Sequence, residues 1–296
     1  MQIFLLIILL SFIVLNEFKS TKHVHKGLID DFKLEDYPYV MCLKILLPNK
    51  RVETCTGSLV AELFVLTAAH CVYGKDKKDL KVYQGTRIKS HDSRNVVKMY
   101  VHESYNHTSE VMIGDLSILK IEKPFSHIEE YIRVGGSPID FANNKYLKCI
   151  VIGFGIINAE HERFIKQIMV KHGRKACEGY DSVQIIDTWQ QYLCEIPNNH
   201  KTYEGDSGGP MICNNLQYGV CSFSININGG DMQTVYVFID YYRKWVNDII
   251  EPEQSTSISA KQKRLKKNKI NQKNDAKLII PHYTLYIISG ILWYTM

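Results

Sequence analysis

The chain has 296 residues, of which 45% are hydrophobic, 23% charged and 11% aromatic. These are the proportions of a globular protein, and they exclude a wholly disordered, collagen-like or polytopic membrane protein. The net charge of +5 is concentrated at residues 261–277, where eight Lys and Arg face one Asp; the remainder carries −2, so we predict no nucleic-acid partner.

The N-terminus carries an apolar run, IFLLIILLSFIVL, at residues 3–15. A helix needs about 20 residues to cross the hydrocarbon core of a bilayer, so this run is too short for a span and fits the core of a signal peptide. We predict a signal peptide over residues 1–20, a propeptide-like segment over 21–26 and a secreted protein; an uncleaved anchor and a buried strand are the alternatives. Export to an oxidising compartment would favour paired cysteines.

The body of the chain alternates short β-branched and aromatic runs with turn residues. Strands spaced in this way predict an all-β sandwich or barrel. The clearest runs are YVMCLKILL (39–47), FVLTAA (64–69), DLKVYQG (79–85), NVVKMYVH (95–102), LSILKI (116–121), CIVIGFG (149–155), PMIC (210–213) and TVYVFI (234–239).

One segment late in the body has a helical pattern instead. In DYYRKWVNDII (240–250), apolar residues recur at intervals of three and four, counting from the residue that precedes it. This spacing predicts a terminal amphipathic helix. Its apolar positions are Ile239, Tyr242, Val246 and Ile249.

The C-terminal part has two segments of different character. Residues 251–277 are polar and rich in lysine, which predicts a basic disordered linker. Residues 278–296 are apolar, but Pro281 and His282 interrupt the run, and the lysines would lie on the exported side of a membrane. A membrane span, a lipid-anchor signal and a loosely attached tail therefore remain open, with anchoring at the cell surface as the alternative to free secretion.

Three short motifs carry the chemistry: LTAAHC (66–71) with His70, IGDLSILKI (113–121) with Asp115, and EGDSGGP (204–210) with Ser207. A serine hydroxyl becomes a nucleophile when an imidazole takes its proton, and a buried carboxylate fixes the tautomer of that imidazole. The glycines around the serine let backbone N–H groups converge on an oxyanion. Each motif alone is ordinary, but together, in the order His, Asp, Ser, they predict nucleophilic hydrolysis.

Three more segments, TGSLV (56–60), YVHESYN (100–106) and GFG (153–155), extend this pattern. With them, residues 26–250 resemble the chymotrypsin/trypsin family of serine endopeptidases. The resemblance implies an all-β fold of two six-stranded antiparallel barrels with a C-terminal helix, and an active site in the crevice between the barrels. It also implies a protease domain over 27–250 that needs no cofactor or metal, acts as a monomer on peptide or protein substrates, and can meet protein inhibitors.

The resemblance assigns roles to individual residues. His70 and Asp115 would come from the first barrel and Ser207 from the second, and the last would form an acyl-enzyme. The backbone N–H groups of Gly205 and Ser207 would form the oxyanion hole. Ser222 would bind the substrate backbone, and Asp206 would receive the N-terminus that is freed on zymogen activation.

Six of the eight cysteines match family positions. Cys42 and Cys221 have no family partner, and two buried thiols are favoured there over a fourth bridge. No cysteine pair has CxxC spacing, so we expect no metal site. The pairs that the resemblance implies are Cys55–Cys71, Cys149–Cys213 and Cys177–Cys194.

The expected activation site departs from the family pattern. Cleavage after Lys26 would free Gly27-Leu28-Ile29, whereas family members begin with an Ile-Val-Gly-Gly-like sequence. A buried carboxylate without a cation is costly, so Asp206 needs a partner. Either Gly27 supplies it imperfectly or another group does. A homologue with little or no activity, which acts as a binding or decoy module, is therefore the alternative function.

The expected specificity pocket also departs from the pattern. Lys201 stands where trypsin-like enzymes carry an aspartate, with Thr202 next to it, and Ser224 and Thr234 replace two residues that are usually glycine. A cation at the base disfavours cleavage after Arg or Lys. Either Lys201 selects an acidic or asparagine-like residue, or it turns away and the pocket takes a small residue or is partly filled.

One N-glycosylation sequon begins at Asn106, just before the aspartate motif. It reads Asn-His-Thr, the minimal acceptor sequence. In an exported protein we expect such a site on a surface loop, where it could be occupied.

Overall fold

The structure is a computed structural model that describes residues 33–84, 92–106, 111–155, 164–177, 183–198, 202–227 and 230–252. Within these ranges the chain forms twelve strands, which close into two six-stranded antiparallel barrels. The predicted fold class is therefore confirmed. The predicted signal peptide, the propeptide-like segment, Lys201 and everything from residue 253 onward lie outside the described residues.

The first barrel is built from the first half of the chain, with strand order β1–β2–β3–β6–β5–β4. Closure leaves no edge strand with unpaired backbone groups. Short runs rich in Val, Ile and Leu suit these strands, because β-branched and apolar side chains pack well on a pleated surface. The strands are β1 Val40–Leu46, β2 Val52–Ala61, β3 Phe64–Thr67, β4 Leu80–Gln84, β5 Ser93–Val101 and β6 Ser117–Ile121.

The second barrel has the order β10–β11–β12–β9–β8–β7. A tight turn joins β10 to β11 through Asn214 and Asn215, both with positive φ, as a two-residue hairpin requires. Its core contains fully buried aromatic and aliphatic side chains such as Tyr236, Phe238 and Met211. The strands are β7 Leu147–Gly153, β8 Phe164–Lys171, β9 Tyr192–Glu195, β10 Pro210–Cys213, β11 Leu216–Asn226 and β12 Met232–Phe238.

Helical segments are short. Two α-helices, α1 (Ala69–Val72) and α2 (Val183–Asp187), lie between strands, and α3 runs over 243–252. No helix in the described parts of the chain is both long and apolar enough to cross a membrane. The 3-10 turns are Leu34–Asp36, Lys77–Asp79, Pro138–Asn144, Trp189–Gln191 and Ile239–Tyr242.

The predicted terminal helix is present, but it starts differently and buries one different residue. Residues 239–242 form a 3-10 turn, and the α-helix begins at residue 243. Val246 is buried as predicted. Ile249 is only half-buried, and the next buried position is Ile250, four residues after Val246.

Three disulfides reinforce the barrels, at the pairs that the resemblance implies. A chain crosslinked in this way has fewer unfolded conformations, which stabilises the fold by about 2–4 kcal/mol for a typical bridge. Cys42 and Cys221 lie outside these disulfides and are both buried. The bridges are Cys55–Cys71 between β2 and α1, Cys149–Cys213 between β7 and β10, and Cys177–Cys194 between β9 and the segment that follows β8.

Candidate active site

Strand pairing in the first barrel brings the histidine and aspartate motifs together. Thr67 at the end of β3 is the register partner of Ser117 at the start of β6. His70 follows the first of these by three residues, and Asp115 precedes the second by two. Their side chains meet, with Nδ1 of His70 2.8 Å from Oδ2 of Asp115.

Asp115 is completely buried and is held by three hydrogen bonds. The backbone N–H of His70 donates to Oδ1 at 2.8 Å, and the ring Nδ1–H donates to Oδ2. The third donor is the hydroxyl of Ser222 on β11, which reaches Oδ2 from the second barrel at 2.5 Å. A carboxylate held in this way fixes the orientation and the tautomer of the imidazole.

The contact from Ser222 was not foreseen in the sequence. The predicted role of this residue, binding the substrate backbone, stays a prediction. Its side chain instead joins the buried carboxylate to the second barrel. Sequence alone offered no signal for it, because residues 115 and 222 are 107 positions apart.

His70 has the environment of a base that solvent can partly reach. Its side chain is 22% exposed, whereas its partner Asp115 is fully enclosed. Burial lowers the pKa of His70, the charge and hydrogen bond of Asp115 raise it, and the net shift is upward from the ordinary value of 6.5. The imidazole can therefore accept a proton on its outer nitrogen while the inner one stays bound to the carboxylate.

Ser207 lies in a sharp turn that only glycine permits. Gly205 has φ +109° and Gly208 has φ +81°, values in the left-handed region. A Cβ at Gly205 would stand 2.7 Å from the carbonyl oxygen of Phe154, so the position has no room for a side chain. We call the segment 203–209, which carries Ser207, the serine turn.

Thr56 on β2 binds the serine turn from the first barrel. Its backbone N–H donates to the carbonyl of Ser207 at 2.8 Å. Its buried hydroxyl donates to the carbonyl of Gly205 at 2.7 Å and accepts from the N–H of Phe154 at 2.9 Å. Sequence reasoning missed this contact, although the threonine in place of the first glycine of the family's GGSL segment was an available signal.

Asp206 is buried beneath the same turn, only 3% exposed. Oδ2 accepts from the N–H of Tyr203 at 2.6 Å, whereas Oδ1 has no hydrogen bond of normal geometry among the described residues. Burial raises the pKa of Asp206 to about 7, although the Tyr203 and Gly155 amides and the charge of Lys166 lower it. Among the described residues, this carboxylate forms no direct ion pair.

The walls of the expected specificity pocket are joined by hydroxyl groups. Ser224 and Thr234 are register partners on β11 and β12, and the hydroxyl of Ser224 donates to that of Thr234 at 3.0 Å. The hydroxyls of Thr202 and Ser224 are 2.5 Å apart. We call this row of three side chains the hydroxyl bridge. Lys201, the fourth residue predicted for the pocket, lies outside the described residues.

The described residues also include the predicted glycosylation site and one cluster of metal-type side chains. Asn106, the predicted glycosylation site, is exposed, but the remainder of its sequon lies outside the described residues. One cluster of metal-type side chains occurs in the described ranges, formed by Cys55, His70 and Cys71. Both of its sulfurs are held in a disulfide, so they cannot bind a metal as thiolates.

Comparison with known proteins assigns most of the described chain to one protein family. The family model described as Trypsin matches residues 35–246. Chymase from Cavia porcellus is 27% identical over 229 residues, covering 72% of this chain and 86% of the chymase. Granzyme F from Mus musculus is 28% identical over 225 residues, covering 73% and 88%.

Solved structures show the same fold. HL collagenase superposes with a TM-score of 0.63 at 23% identity, over 74% of this chain and 95% of that one. The scabies mite inactivated protease paralogue S-I1 superposes with a TM-score of 0.63 at 20% identity, over 77% and 100%. At such identities the likeness concerns the fold alone.

Proposed function

The chain belongs to the trypsin family of serine proteases, and on that premise we propose that it is a secreted endopeptidase with Ser207 as its nucleophile. His70 acts as base and then acid, and Asp115 orients it. The observation that carries this proposal is the pairing of His70 with the buried Asp115, joined at 2.8 Å through the ring and again through the backbone. A lone surface histidine would not need two bonds to one enclosed carboxylate.

The proposed reaction proceeds in two halves. His70 takes the proton of Ser207 as the serine oxygen attacks the peptide carbonyl, and Asp115 stabilises the imidazolium that forms. The N–H groups of Gly205 and Ser207 stabilise the oxyanion, and the loss of one such donor typically raises the barrier by about 3 kcal/mol. His70 then protonates the leaving amine, the C–N bond breaks, and water releases the acyl group by the same steps.

We further propose a preference for small, uncharged residues on the N-terminal side of the cleaved bond. A long or aromatic side chain would have to displace the hydroxyl bridge of Thr202, Ser224 and Thr234. Hydroxyl groups without a negative charge also give Arg or Lys no ionic partner there. If Lys201 instead faces the pocket, acidic side chains will be preferred, and substrate profiling distinguishes the two.

Several further proposals follow from the sequence. Residues 1–20 serve as a signal peptide, the protease domain is 27–250, and the protein acts outside the cell on peptide or protein substrates. Asn106 is a candidate for glycosylation, supported by its exposure. The segments 251–277 and 278–296 keep the roles predicted for them, a basic linker and an apolar tail.

A peptide-library experiment tests the activity. We expect the processed protein to cleave the library, and Ser207→Ala and His70→Ala to reduce the rate at least a thousandfold, because removal of a triad member leaves only residual catalysis. Ser126→Ala, which changes an exposed serine elsewhere, is the matched control and should cleave normally. No turnover by the processed parent would reject the proposal and favour a binding or decoy protein.

A further inference from the structure

A buried ion pair lies beneath the serine turn and takes no part in the reaction just described. Nζ of Lys166 on β8 is 2.6 Å from Oε1 of Glu195 on β9. Both side chains are nearly enclosed, at 9% and 4% exposure. The amide of Asn198 donates to the same Glu195 oxygen at 2.6 Å. Burying the two charges is costly, because each must be taken out of water.

The pair shares a small cavity with Asp206. About 20 Å³ of space, room for roughly one water molecule, separates the groups that line it. Asp206 brings a buried carboxylate with one oxygen that has no hydrogen bond of normal geometry among the described residues. The cavity therefore collects two carboxylates and one ammonium group. Its lining includes Lys166, Glu195, Asp206, Thr202, Cys221 and Tyr236.

The remaining titratable groups around the cavity cannot supply a positive charge. Cys221 on β11 and Tyr236 on β12 are the other such side chains of the lining, and burial raises the pKa of both well above its usual value, so both stay neutral. Among the described residues that line the cavity, Lys166 is the one cation. Burial raises the pKa of Asp206, and the charge of Lys166 acts in the opposite direction and lowers it.

We propose that Lys166 is a positioning residue for the serine turn, an internal counter-charge that Glu195 holds in place and that favours the ionised form of Asp206. The flexible stem of a lysine lets one ammonium group serve two carboxylates that border the same cavity. Ionised Asp206 accepts the N–H of Tyr203 at 2.6 Å, and its own N–H bonds the Tyr203 carbonyl. These bonds define the bend that presents Ser207.

This inference rests on the proposed function and bears on the atypical activation sequence. The resemblance assigns the partner of Asp206 to a freed N-terminal amino group, yet Gly27 lacks the bulky side chain and the following glycines that family members use. With a cation built into β8, the serine turn keeps its shape without that amino group. Lys166 therefore makes the reactivity of Ser207 independent of cleavage after Lys26.

The first experiment measures the rate at which an organophosphonate labels Ser207, with every variant made in a Lys26→Gln chain whose uncleaved N-terminus is confirmed by sequencing. We expect this chain to be labelled within about threefold of the parent rate. Lys166→Met/Glu195→Gln removes both charges together and so avoids an orphaned carboxylate. The labelling rate of this double variant should fall at least tenfold at pH 7 and recover toward higher pH. The separate variant Lys166→Arg, which keeps the positive charge, should retain most of the parent rate. Equal rates and pH profiles for parent and double variant would overturn the proposal, as would labelling that requires cleavage after Lys26.

The second experiment does not depend on activity and uses Ser207→Ala protein. Asp206 has a pKa of about 7 when folded, above its unfolded value near 4, so its contribution to stability falls as pH rises between these values. Asp206→Asn should abolish that fall in denaturant titrations. Lys166→Met/Glu195→Gln should extend it to higher pH; an unchanged profile overturns the proposal. If stabilities behave as expected while no form is labelled, the pairing is supported and the proposed activity alone is rejected.

Discussion

The hydroxyl of Thr56 donates a 2.7 Å hydrogen bond to the carbonyl oxygen of Gly205, and so ties the serine turn to a strand of the other barrel. The same hydroxyl accepts from the N–H of Phe154, and the backbone N–H of Thr56 holds the carbonyl of Ser207. Two of these three bonds hold carbonyl groups of the serine turn, at Gly205 and Ser207, and the third holds the amide of Phe154. The shape of the proposed oxyanion hole depends on the first barrel as well as on the glycines of the turn.

Removal of this hydroxyl should impair catalysis more than binding. Thr56→Val keeps the shape of the side chain but leaves the Gly205 carbonyl and the Phe154 amide without a partner, a loss of about 1–3 kcal/mol. We expect kcat to fall about 10- to 100-fold with KM nearly unchanged, because the oxyanion donors act mainly in the transition state. Steady-state kinetics on a small peptide substrate would measure both kcat and KM.

Thr56→Ser is the matched control for that variant. It restores the hydroxyl and should recover most of kcat. A loss in kcat of equal size for the serine and the valine variants would show that packing, and not the hydrogen bond, is responsible.

The bond from Ser222 to Asp115 should influence the pH dependence of the reaction. Ser222→Ala removes one donor from the buried carboxylate, which then attracts the proton of His70 more strongly. The pKa of His70 is already raised, and since the base must be neutral, activity is lost as pH falls through that pKa. We expect the acid limb of the pH profile of kcat/KM to move to higher pH in Ser222→Ala and to stay in place in the control variant Ser126→Ala. An unmoved limb would contradict the role given to this hydroxyl.

The hydroxyl bridge should limit the size of the accepted side chain. Ser224→Gly removes the central member, to which both Thr202 and Thr234 are bonded. We expect the ratio of kcat/KM for phenylalanine over alanine at the cleaved position to rise at least tenfold, since one or two methylene groups of space are worth about 1–3 kcal/mol. Profiling parent and variant with matched peptides measures the ratio. An unchanged ratio would place the selecting groups elsewhere.

The disulfide between Cys55 and Cys71 should stabilise the loop that carries His70. It closes a loop with a sequence separation of 16, for which the chain-entropy estimate is about 3 kcal/mol. Cys55→Ala/Cys71→Ala should lower the free energy of unfolding by roughly that amount in urea titrations. A midpoint equal to that of the parent would mean that the bridge adds nothing to the native state.

Much of the fold could be predicted from local patterns. Alternating β-branched runs indicated the strands, and the glycines around Ser207 indicated a turn that the positive φ values of Gly205 and Gly208 explain. The ladder that pairs Thr67 with Ser117 then brings His70 and Asp115 together. The strands and the turn were accessible because each pattern is local, whereas the meeting of His70 and Asp115, 45 positions apart, was expected only from the family resemblance.

The remaining features depend on contacts between distant residues, which local patterns do not encode. The hydroxyl of Thr56 reaches a residue 149 positions away, and that of Ser222 reaches one 107 positions away. The buried pair of Lys166 and Glu195 joins two strands, and in the sequence both residues resemble ordinary surface charges. At the terminal helix, burial of Ile250 in place of Ile249 reflects a spacing of four where three had been assumed.

The central claim, that Ser207 is a nucleophile activated by His70, is tested most directly by locating a covalent adduct. The processed protein would be treated with an organophosphonate and digested, and the labelled peptide sequenced by mass spectrometry. The account predicts one adduct on Ser207, formed faster as pH rises through the pKa of His70 and absent in His70→Ala. An intact, folded protein with no adduct, or with equal labelling of His70→Ala, would contradict it.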